Sequence, residues 1–176
     1  MLTNESISLR AMEPQDATVL YNWENDHELW HVSETLAPYS LHQLKSFIEQ
    51  SLTQDIFSSR ELRLMICDNN DSTYGIVDLF KFEPLHQRLG IGIVVHNDYR
   101  NRGIASKAIS IVKEYVFKIL RVNQIWCMIN VNNTESIKLF DKSGFENAGT
   151  LKKWNKNYEG GFDDVIIMQC IKKPQK

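Results

Sequence analysis

The chain has 176 residues, 43% hydrophobic and 10% aromatic, enough for one folded domain, 1–176, with a sizeable core. Its 20 Lys and Arg against 22 Asp and Glu leave a net charge of -2, so no overall field favours nucleic acid or an anionic membrane as a partner. No apolar run approaches the roughly 20 residues of a membrane span, and the opening MLTNESISLR lacks the basic-then-apolar order of a signal peptide, so a cytoplasmic protein is expected.

Alternation marks a first strand at 6–10, and helical spacing follows over 14–23. Next comes HELWH, His27 to His31, which matches the H-E-x-x-H pattern in which two histidines one helical turn apart bind zinc and the glutamate activates water. Its surroundings argue against a regular helix: Asn25 and Asp26 precede it, Val32, Ser33 and Thr35 follow, and Pro38 is close behind. No glycine and third histidine continue it, so no metal is expected there. A second helix spans 41–52.

Strands follow at 61–67 and 73–82, joined by the turn residues CDNNDST, which predict an antiparallel pair. Asp78 sits inside the second of these, among alternating apolar residues. A carboxylate there needs a partner or a purpose, and a structural hydrogen bond and a functional role both remain open. The next strand, 88–95, contains GIGIVV. It begins like a dinucleotide fingerprint, but Val95 stands at the third glycine and the run lies within the strand rather than after it. Gly90 and Gly92 mark either close approach by a ligand or packing under a large neighbour.

A short turn, NDYRNRG, leads from that strand into a helix over 104–120, whose Ala105, Ala108, Ile109, Val112, Tyr115, Val116 and Ile119 share one face and predict packing on a sheet. The first backbone N–H groups of such a helix, from Arg102 to Ser106, lack intrahelical partners and carry the positive end of its dipole, which suits an anion. Gly103 permits close approach, Ala105 keeps the entrance uncrowded, and Arg100 and Arg102 add charge. The Walker pattern G-x-x-x-x-G-K-[ST] is absent, so a diphosphate without a required metal fits better than a magnesium nucleotide. A strand at 124–131, a helix at 134–142 and strands at 149–155 and 164–172 complete the chain, the last two joined through the turn residues YEGGF. Cys67, Cys127 and Cys170 each lie in an apolar run with no paired spacing and read as buried reduced thiols. Seven strands and four helices predict a single mixed α/β domain.

Four segments together resemble one family. Arg100-Asn101-Arg102-Gly103-Ile104-Ala105 fits the [QR]-x-x-G-x-[GA] signature of the GNAT N-acetyltransferases, and IGIVV precedes it as that family's fourth strand does. NNTESIKLFDKSGFENAGT is similar to the family's N-x-x-[SA]-x-x-[LI]-[YF]-x-K-x-GF segment, and GGFDDVIIM resembles the closing strand of its ribosomal-protein and spermidine acetyltransferase branch. The likeness runs from about residue 7 to 171.

The resemblance implies a GNAT fold: a mostly antiparallel sheet of about seven strands, splayed between strands four and five, with about four helices. It also implies acetyl-CoA as cosubstrate, no metal, and a small-molecule amine or peptide amine as acceptor, acetylated by direct attack in a ternary complex. The pyrophosphate would lie on the N–H groups of Arg102, Gly103, Ile104, Ala105 and Ser106 beside Arg100, and the pantetheine amides would pair with the backbone of Ile93, Val94 and Val95. Asn133 would hold the cofactor arm, a role compatible with capping the helix that follows it. Phe140 stands where many members carry a tyrosine that protonates the leaving thiolate, and Gly90 or Gly92 replaces the glutamate of some relatives, so no dedicated acid or base is evident. Asp78 aligns with an acidic residue of spermidine acetyltransferases and is a candidate base or amine anchor, with His31, Glu34 and His96 behind it. Trp30, His31 and Glu34 would line the acceptor pocket. By likeness alone a homodimer is implied. Two readings compete: a CoA-binding regulatory module with lost activity, suggested by Phe140 and the missing glutamate, and a zinc hydrolase at HELWH.

Overall fold

A computed structural model describes residues 2–3, 6–26, 30, 36–157 and 159–173. Among the described residues eight strands form one sheet in the order β1-β2-β3-β4-β5-β6-β8-β7. They are β1 (Leu2–Thr3), β2 (Ser8–Ala11), β3 (Leu62–Cys67), β4 (Thr73–Glu83), β5 (Arg88–Val95), β6 (Gln124–Asn130), β7 (Glu146–Lys156) and β8 (Phe162–Ile171). The α-helices are α1 (Ala17–Glu24), α2 (Leu41–Leu52), α3 (Ile56–Ser59), α4 (Ile104–Lys118) and α5 (Thr134–Lys142), with 3-10 turns at Pro14–Asp16 and Asn97–Tyr99.

The sheet has one strand more than its sequence pattern predicts, because Leu2–Thr3 pairs with β2 over two residues, too few to show alternation. Helix α3, which the sequence pattern does not predict, is a single turn held by a capping box in which Asp55 and Ser58 satisfy each other's backbone N–H groups. Helix α4 ends at Lys118, so Ile119 lies beyond it and is 68% exposed rather than on the buried face. Both turn-rich segments join antiparallel neighbours, β3 to β4 and β7 to β8.

Alternation along the strands builds two apolar layers. On one face α4 lays Ala108, Ile109, Val112 and Val116 against Leu64, Val77, Leu79, Ile91 and Ile125. On the other, Met12, Leu20, Leu44 and Ile48, drawn from α1, α2 and the segment leading into α1, cover Met65, Cys67 and Ile76. Between them the sheet changes direction at its centre. Strands β5 and β6 are parallel and pair only through Arg88–Gln124, Leu89–Ile125 and Gly90–Trp126. Beyond Gly90, β5 continues to Val95 paired with β4 alone, leaving a gap on its other side.

Candidate active site

The gap leads to the start of α4. After Val95 the chain turns through Asn97–Tyr99, then uses two left-handed residues, Asn101 at φ 61 and Gly103 at φ 74, to aim the helix away from the strand end. Gly103 is the N-cap, and the first bond into the helix runs from Lys107 N–H to the Gly103 carbonyl at 3.1 Å. The N–H groups of Ile104, Ala105 and Ser106 precede that bond and have no intrahelical acceptor. A Cβ built on Gly103 would meet nothing within 4 Å, so the backbone angle rather than space favours glycine there, and its lack of a side chain leaves open space in front of these donors. The arginines have a structural task as well as a charge. Arg100 Nε donates to the Val95 carbonyl at 3.0 Å, and Arg102 Nη2 donates to the Asp98 carbonyl at 2.8 Å while its guanidinium lies 5.6 Å from the Tyr99 ring centre. Both brace the turn from within.

The register identifies which backbone groups of β5 face the gap. His96 N–H bonds the Tyr74 carbonyl at 2.9 Å, so by antiparallel alternation Val94 and Gly92 bond β4, opposite Ile76 and Asp78. The N–H and C=O groups of Ile91, Ile93 and Val95 point the other way. Of the three residues expected to present their backbone, Ile93 and Val95 do so and Val94 does not. The Val94 backbone is committed to β4 and its side chain packs on the α1–α2 layer. The Val95 carbonyl is also already occupied by Arg100.

Asn133 caps α5, its side-chain oxygen accepting from Ser136 N–H at 3.0 Å. Phe140, on the same helix, is 4% exposed and packs edge-on against Phe145 with ring centres 4.9 Å apart. The ring is therefore a core element, and no hydroxyl stands at that position.

On the sheet face opposite α4, a charged chain crosses three elements. Arg63 of β3 sits across from Asp78 of β4 and bonds it twice, Nε to Oδ1 at 2.6 Å and Nη2 to Oδ2 at 3.0 Å. Its remaining nitrogen, Nη1, reaches Glu24 Oε1 at the end of α1 at 2.6 Å, and the Phe47 ring of α2 lies 5.3 Å from the guanidinium carbon. Burial opposes the Arg63 charge, but Asp78 and then Glu24 outweigh it, and the guanidinium is held above its ordinary pKa. Asp78 thus has the partner its sequence position requires, while its side chain keeps 33% exposure. Beside it Gly92 of β5 is the cross-strand neighbour, where an added Cβ would make only ordinary contacts at 3.8 Å with Phe80 and 3.9 Å with Asp78. Gly90 is different: its Cβ would fall 2.7 Å from Cζ of Phe80, so packing explains that glycine. Phe80 in turn meets Trp126 of β6 edge-on at 5.3 Å, and the Lys81 ammonium lies 5.9 Å from the same Trp126 ring.

Trp30 is tied to the end of α1 through its indole N–H, which donates to the Glu24 carbonyl at 2.8 Å. His31 and Glu34 lie outside the described residues, as do His27 and Glu28 of HELWH. Among the described residues no group of three His, Cys, Asp or Glu side chains could hold a metal ion. His96 stacks on Trp23 at 5.5 Å and accepts from Asp98 N–H at 3.4 Å, which ties it to the turn rather than to Asp78. The cysteines are buried, and burial pushes the Cys67 thiol up to about 11 and Cys127 up to about 12, so neither supplies a thiolate nucleophile. No described helix is long and apolar enough to cross a membrane.

Sequence reasoning passed over Arg63 and Glu24. The available signal was an arginine in LRLMIC, an otherwise apolar strand, which needs a buried anion as much as Asp78 needs a cation.

The chain matches the family model described as "Acetyltransferase (GNAT) domain" over residues 6–146. It is 26% identical over 151 residues to the SPbeta prophage-derived uncharacterized N-acetyltransferase YokL of Bacillus subtilis (strain 168), covering 86% of this chain and 82% of that protein. It is 23% identical over 150 residues to the spermidine N(1)-acetyltransferase of Vibrio cholerae, covering 84% and 83% respectively. Among solved structures, the spermidine N-acetyltransferase from Vibrio cholerae in complex with CoA and spermine has the same fold, with a TM-score of 0.82 at 24% identity over 96% of each chain.

Proposed function

The chain belongs to the GNAT family of acetyl-CoA-dependent N-acetyltransferases, and from that premise we propose that it acetylates a small primary amine by direct attack, the donor lying in the gap beside β5 and the amine entering at Asp78. Acetyl-CoA supplies the acetyl group as a thioester, which needs no further activation. The observation that carries this reading is the continuity of the gap with the helix entrance. The open edge of β5, the Ile91 carbonyl and the Ile93 N–H and C=O groups beyond the last β6 pair, runs into the turn that presents the Ile104, Ala105 and Ser106 N–H groups.

Each part of the chain then has a task. The three N–H groups and the open space at Gly103 hold a pyrophosphate through oriented donors and the helix dipole. The Ile91 carbonyl and the Ile93 N–H and C=O groups pair with an extended amide chain as a neighbouring strand would, with Asn133 at the entrance to α5 as a further amide partner. Asp78, one strand in from the gap beside Gly92, orients the incoming ammonium. The ammonium gives one proton to solvent, and the freed lone pair forms the new C–N bond as the C–S bond breaks and the electron pair leaves on sulfur; the nitrogen then gives its second proton to water, leaving a neutral amide. A CoA thiol, with an ordinary thiol pKa of about 8.5, leaves at neutral pH with water as proton donor. Phe140 has no proton to give.

The test is thiol release from acetyl-CoA across a panel of monoamines, diamines, polyamines, amino sugars and peptide N-termini. Spermidine is included because relatives are named for it. Thiol release dependent on at least one amine supports the reading; release with none of them overturns it.

A further inference from the structure

Arg63 is the hub of the charged chain that contains Asp78, on the sheet face opposite α4. Its guanidinium is anchored at both ends by carboxylates and from one side by the Phe47 ring, with 19% of the side chain exposed. It cannot swing away without leaving Glu24, which is only 14% exposed, without its cation. A fixed positive charge is therefore built in, one cross-strand position from the carboxylate placed to receive the amine. Two carboxylates and one guanidinium leave a single unbalanced negative charge in this group, and Lys81 over Trp126 adds another cation further along the same face.

We propose that Arg63 is a specificity-determining residue, a charge filter that admits acceptors presenting one ammonium at Asp78 and disfavours those with a second ammonium close to the first. The inference rests on the reading that the amine enters at Asp78, and it narrows the acceptor class within that reading. One ammonium neutralises the group. A second, a few bonds away, finds no further carboxylate within the Asp78–Arg63–Glu24 group and meets the guanidinium instead. At an effective dielectric constant of about 20, two like charges about 7 Å apart repel strongly enough to lower affinity by tenfold or more, and the effect fades as the separation exceeds the Debye length of about 8–10 Å. An acceptor with its second charge remote, or with none, escapes the penalty.

The experiment compares n-propylamine, trimethylenediamine and octamethylenediamine as acceptors at saturating acetyl-CoA, with KM and kcat measured separately. For the wild type, trimethylenediamine is expected to have a KM at least about tenfold above those of n-propylamine and octamethylenediamine, with kcat similar. Arg63→Met keeps the apolar stem and removes the charge; the KM penalty on trimethylenediamine should vanish or reverse. Arg63→Lys keeps the charge with fewer hydrogen bonds and should retain it. A purely structural arginine would change all three acceptors alike, so an unchanged KM ratio in folded Arg63→Met overturns the proposal, as does a lysine variant that behaves like methionine. If Arg63→Met does not fold, the wild-type series still decides, since a trimethylenediamine KM equal to or below that of n-propylamine contradicts the filter. Absence of thiol release with any amine instead refutes the acetyl-transfer reading beneath it, a result distinct from acetylation without charge discrimination.

Discussion

Replacing Gly103 by valine isolates the anion cradle from the rest of the fold. At φ 74 a β-branched residue is strained, and a left-handed conformation costs an L-residue about 1–2 kcal/mol. For a domain of this size that corresponds to a melting temperature lower by about 2–8 °C. The side chain itself meets no protein atom, since nothing lies within 4 Å of the Cβ position, so the fold should survive. In the wild type, acetyl-CoA at about 100 times its Kd should stabilise by about 2.7 kcal/mol, or about 5–11 °C. In Gly103→Val the isopropyl group fills the space before the Ile104, Ala105 and Ser106 N–H groups, and that ligand shift should disappear. Gly160→Val is the matched control: φ is 85 and its surroundings are equally empty, but it lies in the β7–β8 turn. It should lose similar intrinsic stability and keep the full ligand shift. The assay is thermal unfolding with and without acetyl-CoA for all three proteins. A full shift in Gly103→Val, or its loss in Gly160→Val, refutes this placement of the cradle.

Three further outcomes follow from the same geometry. Gly90→Ala should destabilise by about 1–3 kcal/mol through overpacking against Phe80, and Phe80→Leu should relieve part of it; additive losses in urea melts of the double variant would contradict that packing. Acid should weaken the fold through Asp68, lowered chiefly by the Ser72 N–H, and Asp163, lowered by the Asn130 and Asn157 amides. A carboxylate with a depressed folded-state pKa contributes stability above the unfolded value of about 3.9 that is lost as pH falls through the folded value. Urea midpoints should therefore drop below about pH 4, less steeply in Asp163→Asn, and equal slopes would remove Asp163 from the account. Finally, Cys67 and Cys127, buried and with raised thiol pKa values, should not react with a thiol reagent in native protein at pH near 8. Rapid native-state labelling of either would show that its strand opens.

The helix entrance was legible because its determinants are local: a strand end, a glycine and a helical apolar repeat within a dozen residues of sequence. The seven longer strands and the four longer helices were legible for the same reason. What escaped depends on register. Whether Ile93 or Val94 faces the gap is decided by which of them bonds β4, and alternation in GIGIVV is the same either way. Arg63 and Asp78 become neighbours only because the β3–β4 turn sets their pairing, and Glu24 joins them from 39 residues away in sequence. Phe140 was visible as a departure from a tyrosine, but its burial against Phe145 depends on how α5 packs, which its own sequence does not state. Leu2–Thr3 and Ile56–Ser59 are too short to carry a period.

The central claim is direct transfer from acetyl-CoA to an amine with no protein-bound acetyl group. It is tested most directly by mixing the protein with acetyl-CoA first alone and then with an active amine, measuring free thiol, acetylated amine and intact protein mass together. The account predicts no thiol release and no added mass with acetyl-CoA alone, then equal amounts of CoA and N-acetyl amine once the acceptor is present. Thiol release accompanied by an acetylated protein before any amine is added would contradict it.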